Sequence, residues 1–348
     1  MSMQIPKIPE SAFETMNSMM QGQFSTNEIV KFLKFFQLHS ASSELMNSFL
    51  VAVKSNANYV IDTSAFTKPI IDIAGSGGDG KHTANISTLT GLFCAATGLV
   101  NVAKYGNRAA SSLCGSMDVL EAIGIPIDLD FETITLNLIK HGFSPIFARS
   151  VYPGAKYVAE ARTQIPGPSI FNLLFPLARP VIGNPRFVFG VSDQQRIKQI
   201  ADIYLLEENT RCILVHGMDG TDEVSTTGLG ETEYVLIDSG QIKQGEINCQ
   251  KLFGFNPTEL SEIQVTSKEE AVGLFVKVCD PQAHSSKISA IRQSVMANAA
   301  VALFIGLDSK NMNIDGAKKY LTKLDEAFRS GKVLKLIENL QAHKGESL

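Results

Sequence analysis

The feature that most constrains the fold is an apolar run at residues 70–74 that stops at four glycines within the next six positions. Hydroxyl-bearing residues follow at 85–88. This order predicts a buried strand, a glycine turn and the start of a helix. Glycines let backbone N–H groups approach an anion closely, and a helix N-terminus favours negative charge. The turn is therefore a candidate phosphate or pyrophosphate site, although a plain strand-to-helix turn would use glycine in the same way.

Composition argues against several classes of protein. The chain has 348 residues, 44% of them hydrophobic and 19% charged, which predicts a globular protein with two domains or one large domain with an appendage. A net charge of −4 argues against a basic nucleic-acid-binding surface. The first residues have no basic region leading into an apolar run, so we expect no signal peptide. We also expect no apolar run to be long and uninterrupted enough to span a bilayer. Five singly placed cysteines indicate reduced thiols and a cytoplasmic protein: Cys94, Cys114, Cys212, Cys249 and Cys279.

Residues 1–67 are predicted to form a small helical domain. Ser25 and Glu28 form a capping box before apolar residues at helical spacing, and Ser42 or Ser43 could cap the next helix. The apolar faces of these helices are too wide for an isolated pair. The segment at 166–182 interrupts the later pattern, and we expect it to return to this domain and cover them.

Residues 68–348 are predicted to form a larger α/β domain. The predicted strands are 70–74, 100–103, 145–148, 187–190, 211–216 and 233–237, and the predicted helices are 87–97, 116–123, 197–206 and 285–304. Such alternation indicates a mainly parallel central sheet covered by helices. Ligands of such sheets gather at the carboxyl ends of the strands.

The second motif follows a predicted strand at residues 104–118. Lys104 and Arg108 offer positive charge, and Ser112 and Ser116 offer hydroxyl donors, so together they could hold a phosphate group. The alternative is a solvated loop in which the two cations form weak surface ion pairs.

The third motif, at residues 215–225, places Asp219, Asp222 and Glu223 after another predicted strand. Adjacent buried acids repel each other unless a cation or a proton intervenes, and oxygen ligands of this kind suit Mg²⁺. A surface acidic turn is the alternative. His216 is more simply a hydrogen-bonded structural residue than a base, because no Ser or Cys nucleophile is paired with it.

A sugar 1-pyrophosphate chelated by Mg²⁺ accounts for all three motifs. Breaking its C1–O bond develops oxocarbenium character, so catalysis needs a stabilised leaving group and a positioned acceptor. Mg²⁺ and Lys104 would supply the charge stabilisation, and Ser87 could add a metal ligand. The chain has no Walker A lysine-serine pair, which argues against a nucleoside triphosphatase.

With these three motifs in this order, residues 10–335 resemble the anthranilate phosphoribosyltransferases. The matching segments are GSGGDG at 75–80 with NIST at 85–88, KYGNRAASS at 104–112 and VHGMDGTDEVS at 215–225. The resemblance implies an N-terminal helical domain and a larger α/β domain. It also implies a homodimer formed through the helical domains, with phosphoribosyl pyrophosphate (PRPP) and anthranilate as substrates and two Mg²⁺ ions.

The resemblance assigns roles residue by residue. Those implied to bind PRPP are Gly75, Gly78, Asp79, Thr83, Asn85, Ile86, Ser87, Thr88, Lys104, Asn107, Arg108, Ser112 and Ser116. Ser87 and Glu223 would share one Mg²⁺, and Asp222 and Glu223 the other. Lys104, Asp222 and Glu223 are the implied catalytic residues.

The acceptor side is implied to consist of Gly75, Asn107 and Arg162, with Arg162 pairing with the anthranilate carboxylate. The arylamine is neutral at pH 7 and could attack without a strong general base. Departures from the family pattern gather on this side. Tyr105 replaces histidine, YPGA at 152–155 replaces HPAM, Pro168 and Ser169 replace RT, Phe175 replaces glycine, and Leu113 and Cys114 replace a polar pair. On the PRPP side, Ser76 replaces threonine.

Three alternatives follow. A paralogous phosphoribosyltransferase would use another aromatic acceptor. A pyrimidine nucleoside phosphorylase would have no use for the Asp222–Glu223 metal pair. A non-catalytic nucleic-acid-binding relative is opposed by the acidic balance and would bind DNA in a salt-dependent way.

Overall fold

A computed structural model describes residues 12–38, 41–109, 112–167, 169–207 and 209–342. It separates into two compact units. The helical unit comprises Met1–Ile61 and Ala148–Val181, and the α/β unit comprises Asp62–Phe147 and Ile182–Leu348.

In chain order the helices are α1 (Ala12–Met20), α2 (Thr26–Leu38), α3 (Ser43–Ser55), α4 (Ile86–Ala96), α5 (Ser116–Ala122), α6 (Phe131–His141), α7 (Ala148–Val151), α8 (Ala155–Thr163), α9 (Phe171–Leu177), α10 (Ile197–Leu205), α11 (Cys249–Phe253), α12 (Lys268–Cys279), α13 (Ser286–Leu307), α14 (Leu321–Arg329) and α15 (Lys332–Ala342). The strands are β1 (Ile61–Asp62), β2 (Ile70–Gly75), β3 (Asn101–Gly106), β4 (Phe143–Phe147), β5 (Val181–Ile182), β6 (Arg186–Gly190), β7 (Arg211–Gly217), β8 (Glu231–Asp238) and β9 (Gln241–Asn248). Short 3₁₀ helices cover Thr63–Ala65, Gln194–Arg196, Leu260–Glu262 and Ile314–Tyr320.

The helical unit is formed by α1–α3 and α7–α9. The predicted capping box is confirmed, because the Ser25 hydroxyl and N–H donate to the Glu28 carboxylate at 2.7 and 2.8 Å and Glu28 N–H donates back to Ser25 Oγ at 3.4 Å. Ser42 caps α3 by accepting from Leu45 N–H at 3.3 Å. These caps fix where two helices begin, and the apolar faces that follow become the core of this unit.

The unit boundaries differ from those predicted from the sequence. The first segment ends at residue 61 rather than 67, and the returning segment begins at 148 rather than 166. The returning segment is longer because α8 packs against α1 and α2, while α9 packs against α3. The polar composition of α8 hid this packing, since only Val158 and Ala161 are buried along it.

The α/β unit is organised around a seven-stranded sheet with the order β4-β3-β2-β6-β7-β8-β9. The five strands from β4 to β7 pair in parallel, and β8 and β9 extend the sheet as antiparallel strands. The predicted α/β class with a mainly parallel, helix-covered sheet is confirmed. Strand β9 was not predicted, because its sequence QIKQGEIN lacks an apolar alternation and most of it is exposed.

Helix α13 runs through the core of the α/β unit and contacts α4, β2 and β6. Contrary to the sequence-based expectation, it is long and apolar enough, by length and composition, to cross a membrane. However, 78% of its most apolar 18-residue window is buried inside the protein, as in the core helix of a soluble protein.

Candidate functional site

The glycine turn and the acidic pair meet at the carboxyl ends of β2 and β6. Gly77 N–H donates to Asp222 Oδ2 at 2.9 Å. Gly75 and Gly190 lie opposite each other in the β2–β6 register. A Cβ added at Gly75 would lie 2.2 Å from Asp222 Oδ2, and one at Gly190 would lie 1.6 Å from the Asp222 carbonyl oxygen. Asp222 therefore occupies space that exists only because both strands end in glycine.

The rest of the turn uses glycine for its backbone conformation. Gly77, Gly78 and Gly80 have φ values of 63°, 77° and 67°, in the left-handed region that favours glycine. A Cβ at any of the three would meet no atom within 4 Å, so the turn borders open space. Asp79 between them accepts from Lys81 N–H at 3.0 Å through Oδ1, while its buried Oδ2 has no hydrogen-bond partner. The orphaned oxygen is a candidate contact for a bound cation or a ligand hydroxyl.

The surroundings of Asp222 disfavour its ionised carboxylate unless a positive charge lies beside it. Burial raises the pKa of Asp222, and the negative charge of Asp79 raises it further. The hydrogen bond from Gly77 N–H and the nearby His216 lower the pKa of Asp222, but by less than burial and Asp79 raise it. The carboxylate is thus held by the fold in a place where its ionised form is disfavoured.

Glu223 is in a similar position. Burial, followed by the charges of Asp222 and Asp79, raises the pKa of Glu223 well above its ordinary value. Lys104 and a hydrogen bond from Ser87 N–H partly offset the increase. These interactions bring residues from all three sequence motifs within electrostatic reach of one carboxylate.

The donor set fits Mg²⁺. Within the described parts of the chain, no three His, Cys, Asp or Glu side chains form a complete ligand set. Mg²⁺ does not need one, because it commonly binds one or two carboxylates and completes its shell with water and substrate phosphates. The repelling pair Asp222 and Glu223, with the orphaned Asp79 oxygen nearby, suits that mode of binding.

Lys104 supplies a buried cation beside this pair. It lies on β3, is 2% exposed, and donates from Nζ to the Tyr105 carbonyl oxygen at 3.3 Å. Its charge lowers the pKa of Glu223. Lys104 is therefore placed to act on negative charge at this edge of the sheet.

The loop after β3 is held closed by α5. The Asp118 carboxylate accepts from the N–H groups of Ala109 and Gly115 at 2.7 and 2.9 Å. Ser116 Oγ donates to the Asn107 carbonyl at 3.3 Å, and Asn107 Oδ1 accepts from Arg108 N–H at 2.9 Å. Hydrogen bonds thus join residues 107–109 to residues 115–118, while residues 110 and 111 lie outside the described residues.

Arg108 is engaged within the protein. Its guanidinium pairs with Glu121 at 2.9 Å and lies over the Phe147 ring at 5.2 Å from the centroid. The Arg108 and Glu121 side chains are 45% and 53% exposed, so this is a surface ion pair that a phosphate could displace at little cost.

The remaining predicted PRPP residues occupy different environments. Asn85 Nδ2 donates to the Cys114 carbonyl at 2.9 Å and so joins the start of α4 to the second motif. Ile86 is a core residue, and Thr88 is fully buried with no partner for Oγ1. Thr83 forms an isolated antiparallel bridge with Gln264, and Ser112 is exposed.

The predicted acceptor residue Arg162 lies in the helical unit on α8. Burial lowers its pKa, and its Nη2 donates to Asn172 Oδ1 at 3.3 Å. The same oxygen accepts from Ser169 N–H at 3.0 Å and from Ser169 Oγ at 3.1 Å. Asn172 therefore holds the Arg162 guanidinium against the start of α9.

Two departures from the family pattern pack together in the helical unit. Phe175 stacks on Phe171 with ring centroids 5.4 Å apart and contacts Tyr152 at 6.4 Å. The Tyr152 hydroxyl donates to the Ala178 carbonyl at 2.7 Å. Tyr105, in the α/β unit, is 2% exposed, and its N–H donates to Asp72 Oδ1 at 3.1 Å. Pro168 lies outside the described residues.

Asp219 is the third carboxylate of this motif and was not assigned to the metal; its carboxylate instead accepts hydrogen bonds from the loop itself. It accepts hydrogen bonds from Thr221 N–H at 3.0 Å and from the hydroxyls of Thr221, Ser225 and Thr227. Burial would raise the pKa of Asp219, but these hydrogen bonds outweigh it and lower the pKa. Asp219 organises the loop that carries Asp222 and Glu223.

Sequence reasoning missed the loop after β6. Ser192 N–H donates to Ser76 Oγ at 3.0 Å, and Ser192 Oγ donates to the Gly77 carbonyl at 2.9 Å. His216 Nδ1 lies 2.7 Å from the Val191 carbonyl, which fits the structural role weighed for this histidine. The sequence feature that could have indicated this loop is the glycine that ends the predicted strand at 187–190. A glycine at that position permits close approach of another backbone.

Comparisons with known proteins identify the family of the chain. The profile described as "Glycosyl transferase family, a/b domain" matches residues 67–334. The anthranilate phosphoribosyltransferase of Methanocorpusculum labreanum is 33% identical over 331 residues, covering 93% of this chain and 90% of the relative. That of Geobacillus sp. (strain WCH70) is 32% identical over 295 residues, covering 85% and 83%.

Solved structures are similar over nearly the whole chain. The anthranilate phosphoribosyltransferase (TrpD) of Thermus thermophilus has a TM-score of 0.81 at 27% identity and covers 97% of this chain and 96% of its own. The Saccharomyces cerevisiae enzyme in complex with PRPP and Mg shares the fold, with a TM-score of 0.82 at 22% identity, covering 95% of this chain and 92% of its own. The chain therefore belongs to the glycosyl transferase family and, within it, to the anthranilate phosphoribosyltransferases.

Proposed function

We propose that this protein transfers phosphoribose from PRPP to anthranilate in tryptophan biosynthesis, giving N-(5-phosphoribosyl)anthranilate and pyrophosphate. The observation that carries the proposal is the hydrogen bond from Gly77 N–H to Asp222 Oδ2 at 2.9 Å. It puts a glycine turn of the kind that holds phosphates beside an acidic pair of the kind that holds Mg²⁺.

PRPP is proposed to bind along the first two motifs. The residues assigned to it are Gly75, Gly78, Asp79, Thr83, Asn85, Ile86, Ser87, Thr88, Lys104, Asn107, Arg108, Ser112 and Ser116. Ser87 with Glu223 and Asp222 with Glu223 would hold two Mg²⁺ ions. When bound, Mg²⁺ would neutralise charge on the pyrophosphate and make it a better leaving group.

The chain's own residues would act by holding and orienting the substrates. In the reaction, the anthranilate nitrogen forms a bond to C1 of the ribose as the bond from C1 to the pyrophosphate oxygen breaks. The nitrogen loses a proton to solvent. Lys104 would stabilise the charge that develops on the departing pyrophosphate, and the glycine turn would orient the donor.

A steady-state assay with PRPP, anthranilate and Mg²⁺ tests the proposal. We expect pyrophosphate and phosphoribosylanthranilate to form in equal amounts, with no product when either substrate or Mg²⁺ is omitted. PRPP binding without anthranilate turnover would contradict the acceptor assignment only. A screen of other aromatic amines and acids at fixed PRPP would then identify the acceptor, and the packing of Tyr152 and Phe175 motivates that alternative.

Arg162 is proposed to pair with the acceptor carboxylate. Replacing it by alanine should raise KM for anthranilate about 10-fold to 100-fold, the scale of losing a hydrogen bond to a charged group, while KM for PRPP changes little. Arg149→Ala is the matched control, because Arg149 is exposed in the same unit. Equal increases in both Michaelis constants would refute this role for Arg162.

A homodimer formed through the helical unit and a cytoplasmic location are also proposed. Val51 and Tyr157, 47% and 43% exposed in that unit, supply apolar surface for association. A solution mass equal to one chain of 37.7 kDa would contradict the dimer.

A further inference from the structure

The loop that carries the acidic pair is fixed to the core at the residue next to Glu223. Val224 N–H donates to Asn298 Oδ1 at 2.9 Å, and Asn298 Nδ2 donates to the Val224 carbonyl at 3.0 Å. One side chain thereby satisfies both backbone polar groups of a fully buried residue.

Asn298 is unusual in its surroundings. It is 1% exposed on α13 and flanked by Ala297 and Ala299, both fully buried. A buried amide destabilises a fold unless its polar atoms are hydrogen-bonded. Here the second Nδ2 proton goes to the Ser294 carbonyl at 2.9 Å, so both donor hydrogens of the amide are used.

The same face of α13 makes a second contact with the loop. Ser294 Oγ hydrogen-bonds Thr226 Oγ1, two residues beyond Val224. Thr226 is also held from its other side, since its carbonyl accepts from Thr258 N–H at 3.0 Å. The loop is therefore anchored to a helix that packs against β2 and β6, the strands whose ends enclose Asp222.

The nitrogen of Val224 belongs to the same planar peptide unit as the carbonyl carbon of Glu223. Holding Val224 at both its N–H and its carbonyl therefore restrains the backbone from which the Glu223 side chain projects.

From this we infer that Asn298 is a positioning residue that holds Glu223 in place for the metal–PRPP complex, a role that rests on the proposed function. The hydrogen bonds of the Asn298 side chain go to the backbone of Val224 and Ser294. It acts through the Glu223–Val224 peptide, as outer hydrogen-bond partners do in other metal sites.

The test measures the affinity of the full chain for Mn²⁺ in the presence of PRPP, with electron paramagnetic resonance as the readout. Asn298→Leu keeps the number and branching of the side-chain heavy atoms and removes the polar contacts, while Asn298→Asp keeps the size and an acceptor but loses the donor. Both variants should bind Mn²⁺ about 10-fold to 100-fold more weakly, with a matching rise in the Mg²⁺ concentration for half-maximal rate. KM for the acceptor should change by less than about 2-fold, since the hydrogen bonds of Asn298 to Val224 restrain the loop that carries Asp222 and Glu223.

Leu303→Ala is the matched control, because Leu303 is fully buried on the same helix. It should lower the unfolding midpoint and leave Mn²⁺ binding unchanged. Wild-type Mn²⁺ affinity in both Asn298 variants, with midpoints lowered as in the control, would overturn the positioning role and leave the proposed function standing. Failure of the wild-type protein to bind Mn²⁺ with PRPP would overturn both.

Discussion

Replacing Asp222 by Asn together with Glu223 by Gln should lower the Mg²⁺-dependent rate by at least about 1,000-fold, the scale of removing a dominant electrostatic contribution to catalysis. The double variant should be no less stable than the wild type. Burial raises the pKa of both groups, so their ionised forms destabilise the folded protein at neutral pH, and neutral isosteres relieve that effect. The rate as a function of Mg²⁺ and the thermal unfolding midpoint are the two measurements.

A suitable control for this double variant is Asp325→Asn. Asp325 pairs with Arg329 at 2.6 Å on the protein surface, with the two side chains 46% and 75% exposed. We expect its rate and its unfolding midpoint to match those of the wild type, because exposed ion pairs contribute little. A double variant of Asp222 and Glu223 that remained active and responsive to Mg²⁺ would refute their assigned role.

Gly190→Ala should abolish most activity without touching a charged group. The new Cβ would lie 1.6 Å from the Asp222 carbonyl oxygen, and the atom it meets belongs to the backbone, which cannot simply rotate away. Either β6 or the Asp222 loop must move. We expect a loss of at least about 100-fold in kcat/KM, since small displacements of catalytic groups have effects of that size. The free energy of unfolding should fall by about 1–3 kcal/mol, as for other overpacked sites.

Gly273→Ala provides the comparison for Gly190→Ala. Gly273 lies inside α12, where an added Cβ would meet nothing within 4 Å. Alanine favours a helix interior over glycine, so this variant should be more stable by up to about 1 kcal/mol and fully active. If Gly190→Ala were as active as Gly273→Ala, the close approach of Asp222 to β6 would not be needed for activity.

The parallel strands were predictable because each combines an apolar run with an abrupt polar or glycine-rich end. The predicted strand at 187–190 begins one residue late, and those at 70–74 and 211–216 end one residue early. Strand β9 was beyond such reasoning, since Gln241–Asn248 becomes a strand only through its antiparallel pairing with β8. Context overrides propensity at edge strands of this kind.

The loop that carries Asp219, Asp222 and Glu223 shows a second limit of prediction from the sequence. Asp219 and Asp222 are three residues apart and look alike in the sequence. Only the folded loop directs the hydroxyls of Ser225 and Thr227 onto Asp219 while leaving Asp222 against two glycines. Arg108 shows the same limit, because its partner Glu121 comes from α5, thirteen residues later. Residue type predicts a chemistry for these motifs, and only the three-dimensional contacts show which of their side chains are already engaged within the protein.

The helical unit is assembled from two segments separated by residues 62–147. On the ribosome, at roughly 5–20 residues per second, the second segment follows the first after on the order of ten seconds. Throughout that interval α1, α2 and α3 exist without α8 and α9, the helices against which they later pack. Nascent chains paused before residue 148 therefore lack the packing that α8 and α9 later supply to these three helices, and exposed apolar surface of this kind is what makes incomplete chains prone to aggregate.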